Sequence, residues 1–161
     1  VTEYGVINPS GGKGIYGKVH FKNLAIGIIP MDGNGDIWLV GQYRFTLGAF
    51  SWEIPEGGSF PDQDPLDGAK RELKEETGLI AGSWEKLLEI HLSNSVSDEF
   101  GIIYLATDLV QAEAEPEETE ELHIQKISVR EAYQMILNHQ ITDSLTVAAI
   151  QQLWIRTLEK L

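Results

Sequence analysis

Residues 57–79 read GGSFPDQDPLDGAKRELKEETGL, a glycine-rich lead-in followed by a helix with a marked start and stop. Asp64 can accept hydrogen bonds from the free amides of a first turn, and Pro65 suits the first helical position, where an N–H has no intrahelical partner to lose. Gly78 suits the left-handed position just past a helix end. A helix from Asp64-Pro65 to Gly78 is therefore predicted. On its wheel Leu66, Ala69 and Leu73 form an apolar face, and Glu72, Glu75 and Glu76 fall within an adjoining arc of about 100°. Glu76 lies nearest the apolar boundary, Glu72 next and Glu75 farther round.

Three carboxylates on one arc repel one another, and like charges four apart cost an isolated helix a few tenths of a kcal/mol. A bound cation reverses the sign of that term. Hard oxygen donors of this kind suit magnesium, with manganese as the alternative, leaving coordination sites for water and phosphate oxygens. The bland reading is a solvated Glu-rich face. From these three residues alone, that reading is the commoner one.

Outward from this helix, β-branched and apolar runs predict strands over 19–29, 37–43, 87–92, 101–106 and 122–127. Asp32-Gly33-Asn34-Gly35 between the first two is a hairpin signal. A second helix begins at Ser128, with Glu131 in capping-box spacing, and runs to about Asn138. A third spans about 144–160, with Val147, Ile150, Trp154, Leu158 and Leu161 as its core-facing stripe. Helices and strands alternate, so the class is α/β in layers.

Composition bounds the function. The 161 residues, 42% of them hydrophobic, suit one domain, and no repeat or low-complexity tract divides them. No apolar run approaches the ~20 residues that cross a bilayer, and Val1-Thr2-Glu3-Tyr4 has no leader-like character. A soluble protein is expected. The absence of cysteine excludes disulfides and thiolate metal sites and agrees with the cytoplasm. A net charge of −13 disfavours nucleic acid and anionic membranes as partners. A small phosphorylated ligand remains open, given local cationic help from Arg, Lys or bound divalent ions.

The stretch from Gly57 through Gln63 to Arg71-Glu72-Leu73-Lys74-Glu75-Glu76-Thr77-Gly78-Leu79 resembles the Nudix box, G-x5-E-x7-R-E-U-x-E-E-x-G-U, where U is a bulky apolar residue. Eight of the nine specified positions agree. The exception is Gln63, where the family usually has Glu; the change removes a charge but keeps a hydrogen-bonding group, for which Asp62 or Asp64 could compensate. Gln42-Tyr43-Arg44, Trp52-Glu53-Ile54-Pro55-Glu56-Gly57, Ser97-Asp98-Glu99 and the ending through Ile141-Thr142-Asp143 look like the ADP-ribose pyrophosphatase branch. The resemblance covers most of the chain, although the box is its most diagnostic part.

The resemblance implies a single Nudix domain over 1–161, an α/β/α sandwich around a mixed central sheet, with residues 1–17 a segment for dimer formation. It implies magnesium-dependent hydrolysis of the pyrophosphate bond of nucleoside diphosphate sugars such as ADP-ribose or GDP-mannose. The metal ligands would be the backbone carbonyl of Glu56 and the carboxylates of Glu72 and Glu76, with Glu75 direct or through water. Arg71 would orient those carboxylates, and Arg44 would contact phosphate; an ordinary surface ion pair and an exposed strand-end Arg are the alternatives. A Glu of the loop 117–121 would take the proton from water, Glu120 ranked before Glu118, although such an acidic run is by default a solvated loop. A homodimer acting on a small nucleotide follows by analogy.

Two rivals share the box: a nucleoside triphosphate pyrophosphohydrolase and a catalytically silent nucleotide sensor. The segments outside the box resemble the first less, and the second predicts more erosion than Gln63. His20, His91, His123 and His139 have no metal-ligand spacing, and Ser51, Ser93, Ser95 and Ser97 have no recognisable base partner. Phe45, Phe50, Trp52 and Phe100 could stack on a base, but burial is the commoner fate of aromatics.

Overall fold

The computed structural model of the chain describes residues 1–112 and 122–159. Nine strands and three helices follow in chain order: β1 Thr2–Ile7, β2 Lys13–Lys18, β3 Leu24–Pro30, β4 Asp36–Arg44, β5 Ala49–Glu53, β6 Glu56–Ser59, α1 Pro65–Thr77, β7 Leu79–His91, β8 Phe100–Gln111, β9 His123–Ser128, α2 Val129–Leu137 and α3 Ser144–Leu158, all among the described residues.

The central sheet has the order β6-β3-β8-β7 and is mixed, because β3 and β8 run parallel while the other neighbours are antiparallel. β3 is covered on both sides, so its sequence reads as an almost unbroken apolar run. Ile26 and Ile28 pack with Ala69 and Leu73 of α1 on one face; Ile29 packs with Leu145, Ala149 and Ile150 of α3 on the other. The layers are thus α1, the mixed sheet, then α2 and α3 together with a second sheet of order β5-β4-β9. This is an α/β/α sandwich with a mixed central sheet.

Local signals in α1 act as its sequence predicts. Asp64 accepts from the Leu66 N–H at 3.0 Å, and Gly78, at φ 68°, donates its N–H to the Lys74 carbonyl at 2.9 Å. In α2, Ser128 and Glu131 form the reciprocal capping box. α3 agrees in part: Val147, Ile150 and Trp154 pack against the core as expected, whereas its most buried residues are Leu145, Thr146, Ala149, Ile150 and Leu153, Leu158 is exposed, and Leu161 lies outside the described residues. Thr146 is fully buried, and its hydroxyl accepts the Ile54 N–H at 2.9 Å.

The hairpin signal at 32–35 is locally right, since Asp32 and Asp36 pair through the backbone and Met31 bridges Ile37. Beyond that bridge the two strands part. β3 joins the central sheet and β4 the second one, so what reads as a single sheet is two. The strand expected over 19–29 begins at Leu24, and only Val19 makes an isolated bridge, to Ser97. Residues 1–17 contain strand β1 and most of β2, which form a separate antiparallel hairpin. β5 and β6 were not expected as strands. Among the described residues, no helix is long and apolar enough to cross a membrane.

Candidate active site

The chain leaves β5 at Glu53, turns through Ile54-Pro55 and enters β6 at Glu56, directly beside α1. This junction anchors the acidic face. Glu76 is only 4% exposed, and its Oε2 accepts the Glu56 backbone N–H at 3.1 Å. Glu72 lies over Gly57 so closely that a Cβ at that position would collide with its carboxylate. A side chain there would push the Glu72 carboxylate aside.

Arg71 ties the same elements together. Its Nη2 donates to the Gly58 carbonyl at 2.9 Å and lies 2.8 Å from Glu72 Oε1, while Nη1 donates to Glu75 Oε2 at 3.0 Å. One guanidinium therefore fixes two carboxylates of α1 against the backbone of β6. Arg44, at the end of β4, is held from the other side. Its Nε lies 3.1 and 3.0 Å from the two oxygens of Glu53, its Nη2 bonds Glu53 closely, and the same Nη2 donates to Glu56 Oε1 at 2.8 Å.

A cavity of about 240 Å³ is lined by Arg44, Glu56, Gly57, Gly58, Glu72, Glu75 and Glu76. Every residue read as a metal ligand, together with Arg44, meets there. A neighbouring cavity of about 220 Å³ shares Arg44, Glu56 and Gly57 and adds Glu99 and Asp143. Cavities elsewhere, about 260 Å³ beside the β1–β2 hairpin and about 300 Å³ between α2 and α3, lack this convergence of carboxylates. Glu118 and Glu120 lie outside the described residues.

The electrostatics of the junction are strained. Burial, then the charges of Asp143 and Glu53, push the Glu56 carboxyl well above the usual carboxylate range, with Arg44 opposing them. Glu56 Oε2 is buried without a hydrogen-bond partner among the described residues. Three carboxylates, Glu53 foremost and then Glu56 and Glu76, in turn hold the Arg44 proton more tightly than usual.

Among the described residues no three His, Asp or Glu side chains close into a preassembled metal site. The donor set still fits a hard divalent ion. Carboxylates alone line the acidic wall, the glycine cradle brings Glu72 against the β6 backbone, and a buried carboxylate oxygen beside them has no donor among the described residues. Magnesium keeps several waters and needs few protein ligands, so an open wall of this kind suits it better than a closed cage.

Residues 21–147 match the NUDIX domain family. The chain belongs to that family. Among the relatives of this Nudix chain is the ADP-ribose pyrophosphatase of Mycobacterium tuberculosis (strain ATCC 25618 / H37Rv), 36% identical over 130 residues, which are 78% of this chain and 62% of that protein. A protein named methanol dehydrogenase activator, from Bacillus methanolicus, is 35% identical over 131 residues, 80% of this chain and 71% of its own length. The crystal structure of an ADP compounds hydrolase superposes with a TM-score of 0.85 at 18% identity, covering 100% of this chain and 95% of that one. At that identity the likeness is one of fold.

Other sequence candidates lie elsewhere. Gln63 is exposed before α1, its backbone N–H donating to the Phe60 carbonyl, and Asp64 is committed to the helix cap. His20 pairs with Asp98, His91 and His123 lie against Phe100 and Phe50, and His139 ends α2 at φ 58°. None of the four lines the acidic cavity. Phe45 is 90% exposed, whereas Phe50 and Trp52 pack edge to face at 5.4 Å. Sequence reasoning passed over Glu53. A charge at an inward strand position gives no signal distinct from an outward one until its partner, Arg44, is brought to the neighbouring strand.

Proposed function

We propose that this Nudix protein hydrolyses the pyrophosphate bond of nucleoside diphosphate sugars, ADP-ribose foremost, with magnesium. The observation that carries this reading is the meeting of Glu56, Glu72, Glu75, Glu76 and Arg44 around one cavity. An arginine beside a cluster of carboxylates is a poor anion site by itself and a good one for an anion that arrives with divalent cations. The name of the Mycobacterium tuberculosis relative supports the substrate class.

In the reaction, water attacks one phosphorus, the bond from that phosphorus to the bridging oxygen breaks, and the products are a nucleoside monophosphate and a sugar phosphate. Glu72 and Glu76, with the Glu56 carbonyl, would hold the metal, and Glu75 would bind it directly or through water. When bound, it would supply positive charge that neutralises the diphosphate and the leaving oxygen. Arg71 keeps Glu72 and Glu75 in place, and Arg44 contacts phosphate through its guanidinium. Glu120, with Glu118 second, takes the proton of the attacking water; an ordinary carboxylate is ionised at neutral pH and needs no shift for this.

The same reading takes the chain as a single Nudix domain in the cytoplasm, with a small nucleotide as its partner and no nucleic acid or membrane. It also takes the enzyme as a homodimer. What supports the dimer is the β1–β2 hairpin, whose Tyr4, Ile7, Ile15 and Tyr16 are exposed. Light scattering of the chain with and without residues 1–17 tests that part, with a loss of dimer expected.

A panel of ADP-ribose, GDP-mannose and nucleoside triphosphates with magnesium, read by product analysis, tests the reaction. Monophosphate and sugar phosphate from the sugar diphosphates are expected. Release of pyrophosphate from triphosphates alone would move the assignment to that rival class.

A further inference from the structure

Arg44 is held by two carboxylates in unequal ways. Glu53, 2% exposed, receives bonds from both Nε and Nη2, whereas Glu56 receives a single bond from Nη2 at 2.8 Å, with its other oxygen buried and without a hydrogen-bond partner among the described residues. Nη1 makes no hydrogen bond to a side chain or backbone group among the described residues. We infer that Glu53 is a positioning residue that presents Arg44 to the substrate diphosphate, and that the Glu56 carboxylate is the partner a phosphate oxygen displaces from it. This rests on the proposed diphosphate reading.

The physical case is one of competition at a fixed donor. A guanidinium carries five N–H groups in a rigid fork, so bonds from Nε and Nη2 to one carboxylate fix the orientation of the whole plane. Glu53 supplies that fixation from a site closed to solvent. Glu56 cannot do the same, because one bond leaves the plane free to tilt. Exchanging Glu56 for a phosphate oxygen on Arg44 keeps a charge-assisted bond at Nη2 while Glu53 goes on holding the plane through Nε and Nη2.

Charge and positioning predict different outcomes. Glu53→Gln and Glu56→Gln each remove one negative charge beside the same guanidinium, so an account by charge alone has both tighten anion binding. Positioning gives them opposite signs. Glu53→Gln turns an amide donor toward a guanidinium that has only donors, and the plane loses its support; Glu56→Gln weakens the competitor.

The test is calorimetric binding of inorganic pyrophosphate, with magnesium, to the wild-type chain and to Glu53→Gln, Glu53→Asp, Glu56→Gln and Arg44→Ala, beside product analysis of ADP-ribose hydrolysis by the wild type. Glu53→Gln and Arg44→Ala are expected to raise Kd by about tenfold or more, the loss typical of a charge-assisted hydrogen bond. Glu56→Gln is expected to lower it several-fold. Glu53→Asp, which keeps the charge and shortens the reach, is expected to weaken binding while thermal melting remains cooperative. Tightening by both Gln variants, or no change from Glu53→Gln or Arg44→Ala, overturns the inference. Pyrophosphate that binds with these signs while no sugar diphosphate is hydrolysed leaves the inference standing and removes the substrate reading. A wild-type chain that binds no pyrophosphate removes both.

Discussion

The carboxylate of Glu72 occupies the space that a side chain on Gly57 would need. Gly57 thus leaves room for a carboxylate carried on another element, α1. Gly57→Ala is expected to push Glu72 away from the β6 backbone, lowering hydrolysis by about tenfold to a hundredfold through metal affinity. A magnesium titration of activity checks it, with the midpoint moving to higher concentration.

Arg71 holds Glu72 and Glu75 at 2.8 and 3.0 Å and reaches the Gly58 carbonyl at 2.9 Å. Lysine has one charged centre and cannot make this three-way contact. Arg71→Lys is accordingly expected to behave much like Arg71→Ala, each costing about tenfold to a hundredfold in metal affinity. Parallel titrations of the two variants decide it; full rescue by Lys contradicts a positioning role.

Glu56 gives a pH dependence of stability. Its folded pKa is raised above the ordinary 4.5, so between those values the folded state binds more protons than the unfolded one. Stability from this group is then fully present at acidic pH and is lost as pH rises through that window. With metal chelated, Glu56→Gln is expected to be more stable than the wild type at neutral pH, the gap closing as pH falls toward 4.5. Urea unfolding across that range measures it.

Leu73 joins the site to the core, since it is fully buried on the α1 face against β3, one residue from Glu72. Leu73→Ala is expected to cost about 2–5 kcal/mol of stability. Residual folded enzyme should retain its metal affinity, because the carboxylates are fixed by Arg71 and by the β6 backbone. Chemical unfolding and a metal titration separate the two effects.

What could be read from the chain alone was what local chemistry encodes. Asp64, Pro65 and Gly78 bound α1 through hydrogen bonds within a few residues, so both its ends and the arc of its carboxylates were legible. The parting of β3 from β4 was not, because it depends on β8 and β9 arriving from far along the chain. The inward face of α3 was legible in Val147, Ile150 and Trp154 but not in Thr146, a polar residue whose place in the core goes with the Ile54 N–H that its hydroxyl accepts. Arg44 was legible as a cation at a strand end, but the Glu53 that fixes it was not, since pairing across β4 and β5 sets the contact.

The central claim is that the acidic wall of α1 grips a diphosphate through a divalent ion. Its most direct measurement is the rate of ADP-ribose cleavage with magnesium by the wild-type chain and by Glu76→Gln. The account predicts nucleoside monophosphate and ribose phosphate from the wild type and a loss of about a hundredfold or more in the variant, whose ligand to the metal is weakened. A variant that cleaves as fast as the wild type contradicts it.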